Sequence, residues 1–92
     1  MITAFVHIQT APNTTSRVAS QLAGIEGVAE VYSVTGEWDV IAIVRLADYE
    51  QLALTVPDQI GAVSGIIRTA TVLAFRSFTK EDVAATWDIG LS

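Results

Sequence analysis

Val40-Ile41-Ala42-Ile43-Val44-Arg45-Leu46, set beside Ile2-Thr3-Ala4-Phe5-Val6-His7-Ile8, decides the fold. The second stretch alternates Ile2, Ala4, Val6 and Ile8 against Thr3, Phe5 and His7, the period-2 pattern of a strand with two distinct faces. Offset by 38 residues, the two halves of the chain fall into register. Six identities result: Ala4/Ala42, Val6/Val44, Val18/Val56, Gln21/Gln59, Gly27/Gly65 and Val34/Val72. Ile8/Leu46, Leu22/Ile60, Ile25/Val63 and Val28/Ile66 are conservative matches, so the hydrophobic pattern repeats throughout.

Each half reads as strand, helix, strand. In the first, Ile2–Thr10 is a strand and Pro12-Asn13-Thr14 interrupts it. Thr14 or Thr15 then caps a helix running to Gly24, with Val18, Leu22 and Ile25 on one face. Gly27 punctuates and Val28–Thr35 is the second strand. In the second half, Asp39–Leu46 is a strand, and Tyr49–Val63 is helical with Leu52, Val56, Ile60 and Val63 as its apolar stripe. Pro57 removes a hydrogen bond from that helix and should kink or split it. Gly65 comes next, and Ile67–Phe78 is the last strand. Two βαβ units in tandem predict an α+β, ferredoxin-like βαββαβ fold, with two helices on one face of a four-stranded antiparallel sheet.

The 92 residues suit one domain, expected over 1–78, with a helical tail of the same domain over 79–92. In that tail Thr79 and Asp82 resemble the start of a capping box, Val83 and Trp87 share a face, and Gly90 is a stop. Apolar residues make up 51% of the chain, charged ones only 16%, more apolar surface than a small monomer hides. No apolar run approaches the ~20 residues of a membrane span, so the surplus points to a protein partner. The sheet says where. If Ala4, Val6, Ile8, Ala42, Val44 and Leu46 lie beneath the helices, then Phe5, Ile41 and Ile43 project from the bare face. A sheet solvated on one side carries polar groups there; this pattern predicts sheet-to-sheet homodimerisation.

Charge and composition exclude several functions. Lys80 is the one lysine, the four arginines are scattered and the net charge is −5, so direct nucleic-acid binding is not expected. There is no cysteine, and one histidine with scattered carboxylates gives no cluster of metal-ligand spacing. No metal or cofactor is expected. The N-terminal residues lack a signal-peptide pattern, and a cytoplasmic location is expected.

The hairpin Ser33-Val34-Thr35-Gly36-Glu37-Trp38-Asp39 is the densest stretch for chemistry. Gly36 suits a tight turn with positive φ and lets a ligand approach the backbone. Trp38 is a large aromatic on a loop, and Asp39 opens a strand, where aspartate is disfavoured. Read without a ligand, the same residues are a turn glycine, an interface anchor and a turn cap. The string Val34-Thr35-Gly36-Glu37-Trp38-Asp39, preceded by Gly27-Val28-x-x-Val31 and followed by Gly65-Ile66-x-x-Thr69-x-Thr71, resembles the effector-binding (RAM) domain of the Lrp/AsnC family, the leucine-responsive or feast/famine transcription regulators. The resemblance covers nearly the whole chain.

That resemblance implies a dimer formed through the sheets, assembling to tetramers, octamers or larger rings, with amino-acid effectors in clefts between dimers. It implies that Gly36 offers backbone groups to the ligand carboxylate and that Asp39 faces its ammonium. Val34 and Trp38 would wall the cleft, and Thr69 and Thr71 would supply hydroxyls. Full-length members carry an N-terminal helix-turn-helix domain, whereas Met1 here opens into the first strand. The chain therefore resembles a stand-alone form, expected to regulate transcription or amino-acid metabolism indirectly, by co-assembly with a full-length Lrp/AsnC regulator.

Three readings compete. A cofactor-free enzyme of the dimeric α+β barrel type would use His7 as its base, yet His7 also reads as a strand histidine with a satisfied ring nitrogen. An ACT-type regulatory domain would bind its ligand at the loop Thr10–Thr14, which has no glycine. The third is an oligomerisation module without a ligand. The residues and the resemblance together favour a binding module over an enzyme.

Overall fold

A computed structural model describes residues 1–82 of the chain. The order is β1 (Ile2–Thr10), α1 (Thr15–Ala23), β2 (Val28–Ser33), β3 (Val40–Leu46), α2 (Tyr49–Leu54) running into a π-helical turn (Thr55–Ile60), and β4 (Ile66–Leu73). The four strands form one antiparallel sheet in the order β2-β3-β1-β4. This is the expected α+β ferredoxin-like arrangement. None of the described helices is long and apolar enough to cross a membrane.

The two stretches that mirror each other in sequence are the two central strands. They pair Ala4 with Val44 and Val6 with Ala42, so each of these residues stands opposite the other's counterpart in the repeat. Ala4, Val6, Ile8, Val40, Ala42 and Val44 are fully buried, with Val18 and Leu22 of α1 and Ile60 of the π turn packed on them. The alternate residues Phe5, Ile41 and Ile43 lie on the other face and are half-buried. A bulge at Ala29 carries β2 into this scheme. Val28 pairs with Val44 and Val31 with Ala42, so both meet the core although their offset along the strand is odd.

The repeat extends to the glycines. Gly27 and Gly65 both hold left-handed backbone, with φ of 94° and 102°. Each stands just before the outer strand of its half. The Gly27 carbonyl accepts from the Arg45 N–H at 2.8 Å, and the Gly65 carbonyl from the Ala11 N–H at 2.7 Å. A side chain at either would also be crowded: a Cβ on Gly27 would run into Leu46 Cδ2, and one on Gly65 would lie 3.0 Å from both Thr14 Oγ1 and Val18 Cγ2.

Three expectations need correction. The second helical segment ends at Ile60, short of Val63, and the interruption expected at Pro57 takes the form of a widened turn. Pro57 has no N–H to give, and the helix widens around it: the Gly61 N–H reaches back five residues to the Val56 carbonyl at 3.0 Å. The last strand ends at Leu73, not Phe78. The Ala74 N–H donates to the Thr3 carbonyl at 2.9 Å, but β1 begins at Ile2, opposite Phe75 in this register, so residues 76–78 have no strand to pair with. Thr14 occupies the N-cap position of α1 but makes no side-chain cap; its hydroxyl donates instead to the Ala11 carbonyl at 2.7 Å. By contrast Asp48 does cap α2, accepting from the Gln51 N–H at 2.9 Å. In the tail, Thr79 Oγ1 accepts from the Asp82 N–H at 3.0 Å, as a capping start would. The rest of the expected C-terminal helix, with Val83, Trp87 and Gly90, lies outside the described residues.

Candidate functional site

The hairpin joining β2 to β3 is tied to the sheet at both its ends. The Val34 N–H donates to the Asp39 carbonyl at 3.0 Å and closes the loop. The Asp39 N–H donates to the Ile8 carbonyl at 2.9 Å, docking the loop against β1. The Asp39 carboxylate is itself engaged: Oδ2 accepts from the Thr10 N–H at 2.8 Å and from the Thr10 hydroxyl at 3.4 Å. Thr10 is where the β1–β4 register shifts, so its amide lies at an irregular point of the ladder and Asp39 satisfies it. Thr10 Oγ1 in turn lies 2.7 Å from Thr15 Oγ1 at the start of α1. This explains an aspartate at the head of a strand. The bond to Thr10 was not expected from the sequence, where Thr10 appeared only as the start of the loop of the ACT-type reading.

Gly36 sits at the turn with φ of 105°. A Cβ built there would meet no atom within 4 Å, so the glycine answers a backbone requirement and its surroundings are open. Trp38 folds back across the sheet. Its ring lies 5.7 Å from that of His7 on β1, and the Arg68 guanidinium of β4 stands over it with Cζ 4.5 Å from the centroid. Arg68 Nη2 also donates to Glu37 Oε1 at 3.1 Å. Glu37, Trp38, His7 and Arg68 thus form one cluster at the hairpin end of the bare face.

The expected site residues are divided by the sheet. Thr69 pairs with Ile8 and Thr71 with Val6, which places both threonines on the helix side of β4. Arg68 pairs with Gln9, and Ala70 with His7, on the bare side, where Trp38 lies. Val34, Gly36 and Asp39 stand together at the hairpin, with the Asp39 carboxylate turned toward Thr10 on the helix side. Within one chain, then, the threonines and Trp38 do not face one another. Arg68 was not a sequence candidate. A signal existed in its alternation with Thr69 and Thr71, but only the pairing of β4 with β1 brings it to Trp38.

His7 stands on the bare face, where the enzymatic reading needed it. Its Nδ1 lies 3.3 Å from the Ala70 carbonyl, an acceptor that requires the hydrogen on that nitrogen. Further along the same face, Tyr32 donates to Glu30, and Arg45 pairs with Glu30 at 3.4 Å. The Tyr32 hydroxyl and then Arg45 hold the Glu30 carboxyl below its ordinary range, while Glu30 pushes the Tyr32 phenol up. Two cavities lie elsewhere. One of about 180 Å³ is lined by Glu26, Leu46, Gln51 and Thr55 beside the π turn. Another of about 590 Å³ lies between Phe5, Arg45, Phe75 and Phe78.

Known proteins share this sequence pattern and this fold. An uncharacterised HTH-type transcriptional regulator of Pyrococcus furiosus is 38% identical over 82 residues, which cover 86% of this chain and 55% of that protein. The regulator LysM of Saccharolobus solfataricus is 31% identical over 78 residues, 84% of this chain and 54% of its own. The chain spans about half the length of the curated relatives it matches. The crystal structure of TTHA0845 from Thermus thermophilus superimposes with a TM-score of 0.82 at 45% identity, covering 87% of this chain and the whole of that one. The model of the Lrp/AsnC ligand binding domain matches residues 3–84, and the chain belongs to that family.

Proposed function

We propose that the chain is a non-catalytic module that binds an amino acid, or a similar small effector, between subunits of a homo-oligomer. The observation that carries this reading is the hairpin. Gly36 leaves its backbone open on a loop anchored at both ends, with a carboxylate three residues on, in a domain of a ligand-binding family. A zwitterion needs donors for its carboxylate and an anion for its ammonium, and such a hairpin supplies both. Phe5, Ile41 and Ile43 would form the sheet-to-sheet dimer interface, and dimers would assemble into larger rings. Thr69 and Thr71, on the opposite side of the sheet from Trp38, would reach the ligand of a neighbouring subunit. Mixed oligomers with a full-length family member give the bound state a route to transcription.

A thermal-melt screen against the twenty amino acids tests this. A ligand at a hundredfold excess over its Kd adds about 2.7 kcal/mol, and a domain of this size shifts by roughly 4–8 °C per kcal/mol. One or a few amino acids are expected to raise the melt selectively. Asp39→Asn, which keeps an oxygen to accept from Thr10 but loses the charge, should abolish that shift while melting near the wild type. Asp39→Ala should also lower the melting temperature of the free protein, because the amide of buried Thr10 then loses its partner at a cost of about 1–3 kcal/mol. A flat screen of the wild type would sink the reading.

A further inference from the structure

Arg68 and Glu37 are unequal partners. Glu37 stands on the loop with its side chain 71% exposed, whereas Arg68 belongs to β4, is 51% exposed, and lies over Trp38. An ion pair this open to water is weak and screened by salt. A second carboxylate, held by further contacts of its own, would therefore displace Glu37 and not Arg68. The exchange also conserves charge: one carboxylate leaves the guanidinium as another arrives. What it uncovers is a planar cation already oriented by an aromatic face, with a fork of N–H donors that matches a carboxylate in two parallel bonds. The fork stands at the hairpin on the bare side of the sheet, bonded to Glu37 directly after Gly36, while the Asp39 carboxylate engages Thr10 on the helix side.

We infer that Arg68 is a specificity-determining residue, which takes the side-chain carboxylate of a dicarboxylic amino acid in place of Glu37. The inference rests on the amino-acid reading of the hairpin given above. In this arrangement Glu37 is an internal surrogate for the ligand, occupying Arg68 until an acidic amino acid arrives. The reverse exchange, a basic ligand taking the place of Arg68 between Trp38 and Glu37, would require a stacked side chain borne by a strand to leave in favour of a loop residue that is easily moved.

Calorimetric titration of the intact protein with L-aspartate, L-glutamate, L-asparagine, L-glutamine, L-leucine and L-lysine tests it. One acidic amino acid is expected to bind at least about tenfold more tightly than its amide, as for a site built to bond a group the analogue lacks. Arg68→Gln should erase that preference, bringing the affinity for the acidic amino acid down to that for its amide. Arg68→Lys keeps the charge without the fork and should retain part of the preference. Glu37→Gln removes the internal competitor and should tighten acidic ligands several-fold. Equal affinity for acid and amide in the wild type overturns the inference, as does a preference that survives Arg68→Gln. Selective binding of leucine or lysine overturns it while leaving the hairpin reading in place. Binding of no amino acid overturns both.

Discussion

Under the proposed sheet-to-sheet dimer, Phe5→Asp combined with Ile43→Asp is expected to give a folded monomer, or insoluble protein. The two residues pair directly across β1 and β3, and Phe5 pairs with Val72 on its other side. They sit at the centre of an apolar band that also includes Ile41, while Val72 and Tyr32 are 53% and 50% exposed. Burying a phenylalanine or isoleucine side chain contributes about 1.5–3 kcal/mol, and a carboxylate forced into a dry interface costs several kcal/mol more. Every 1.4 kcal/mol is about tenfold in Kd, so the paired change should weaken a sheet-to-sheet dimer by several orders of magnitude. The core lies on the other face, so circular dichroism of any soluble monomer should match the wild type. Light scattering that finds the assembly intact would refute the interface.

Ile8→Ala should have the largest effect on the subunit itself. Ile8 is among the largest fully buried side chains, on a central strand, with Val40 beside it and Thr69 on its other side. Its truncation leaves a cavity that neighbours on both strands cannot close, and such changes cost about 2–5 kcal/mol. A small domain has about 5–15 kcal/mol in total. The melting temperature should therefore fall by tens of degrees, on the scale of roughly 4–8 °C per kcal/mol. A fall of only a few degrees would mean that the β1 core face is less tightly packed than its burial indicates. The same truncation at Phe5, on the opposite face of the strand, should cost an isolated subunit much less and separates core packing from assembly.

The fold was legible because its signal is periodic and repeated. Ala4, Val6 and Ile8 and their images Ala42, Val44 and Leu46 mark the buried face twice over, and Gly27 and Gly65 mark equivalent turns. What could not be read was how backbone groups are satisfied locally. Pro57 announced an interruption, but a kink, a split and a widened turn all relieve a missing N–H, and packing of Ile60 into the core decides among them. The end of β4 depends on where β1 begins, a matter of register and not of the sequence at Phe75–Phe78.

The candidate site was legible in part. Gly36 and Asp39 stood out because each is an unfavourable residue for its setting unless the backbone requires it. The Asp39–Thr10 bond spans 29 residues and the Glu37–Arg68 bond 31, and no local pattern encodes either. Thr69 and Thr71 must share a face by alternation, yet which face depends on their partners Ile8 and Val6.

The strand order has a kinetic consequence. Within each half the two strands are not neighbours: β1 and β2 are separated by β3, and β3 and β4 by β1. The first half therefore forms no strand ladder alone as it leaves the ribosome, and must wait for β3 before a sheet can nucleate. Pairings of such long sequence separation fold slowly, because loop closure precedes any compensating contact. A fragment ending at the hairpin should stay unfolded by itself and gain structure only when the fragment carrying β3 and β4 is added. Nascent chains stalled at that point would expose an unpaired apolar β1, the segment through which a chaperone would be expected to hold them.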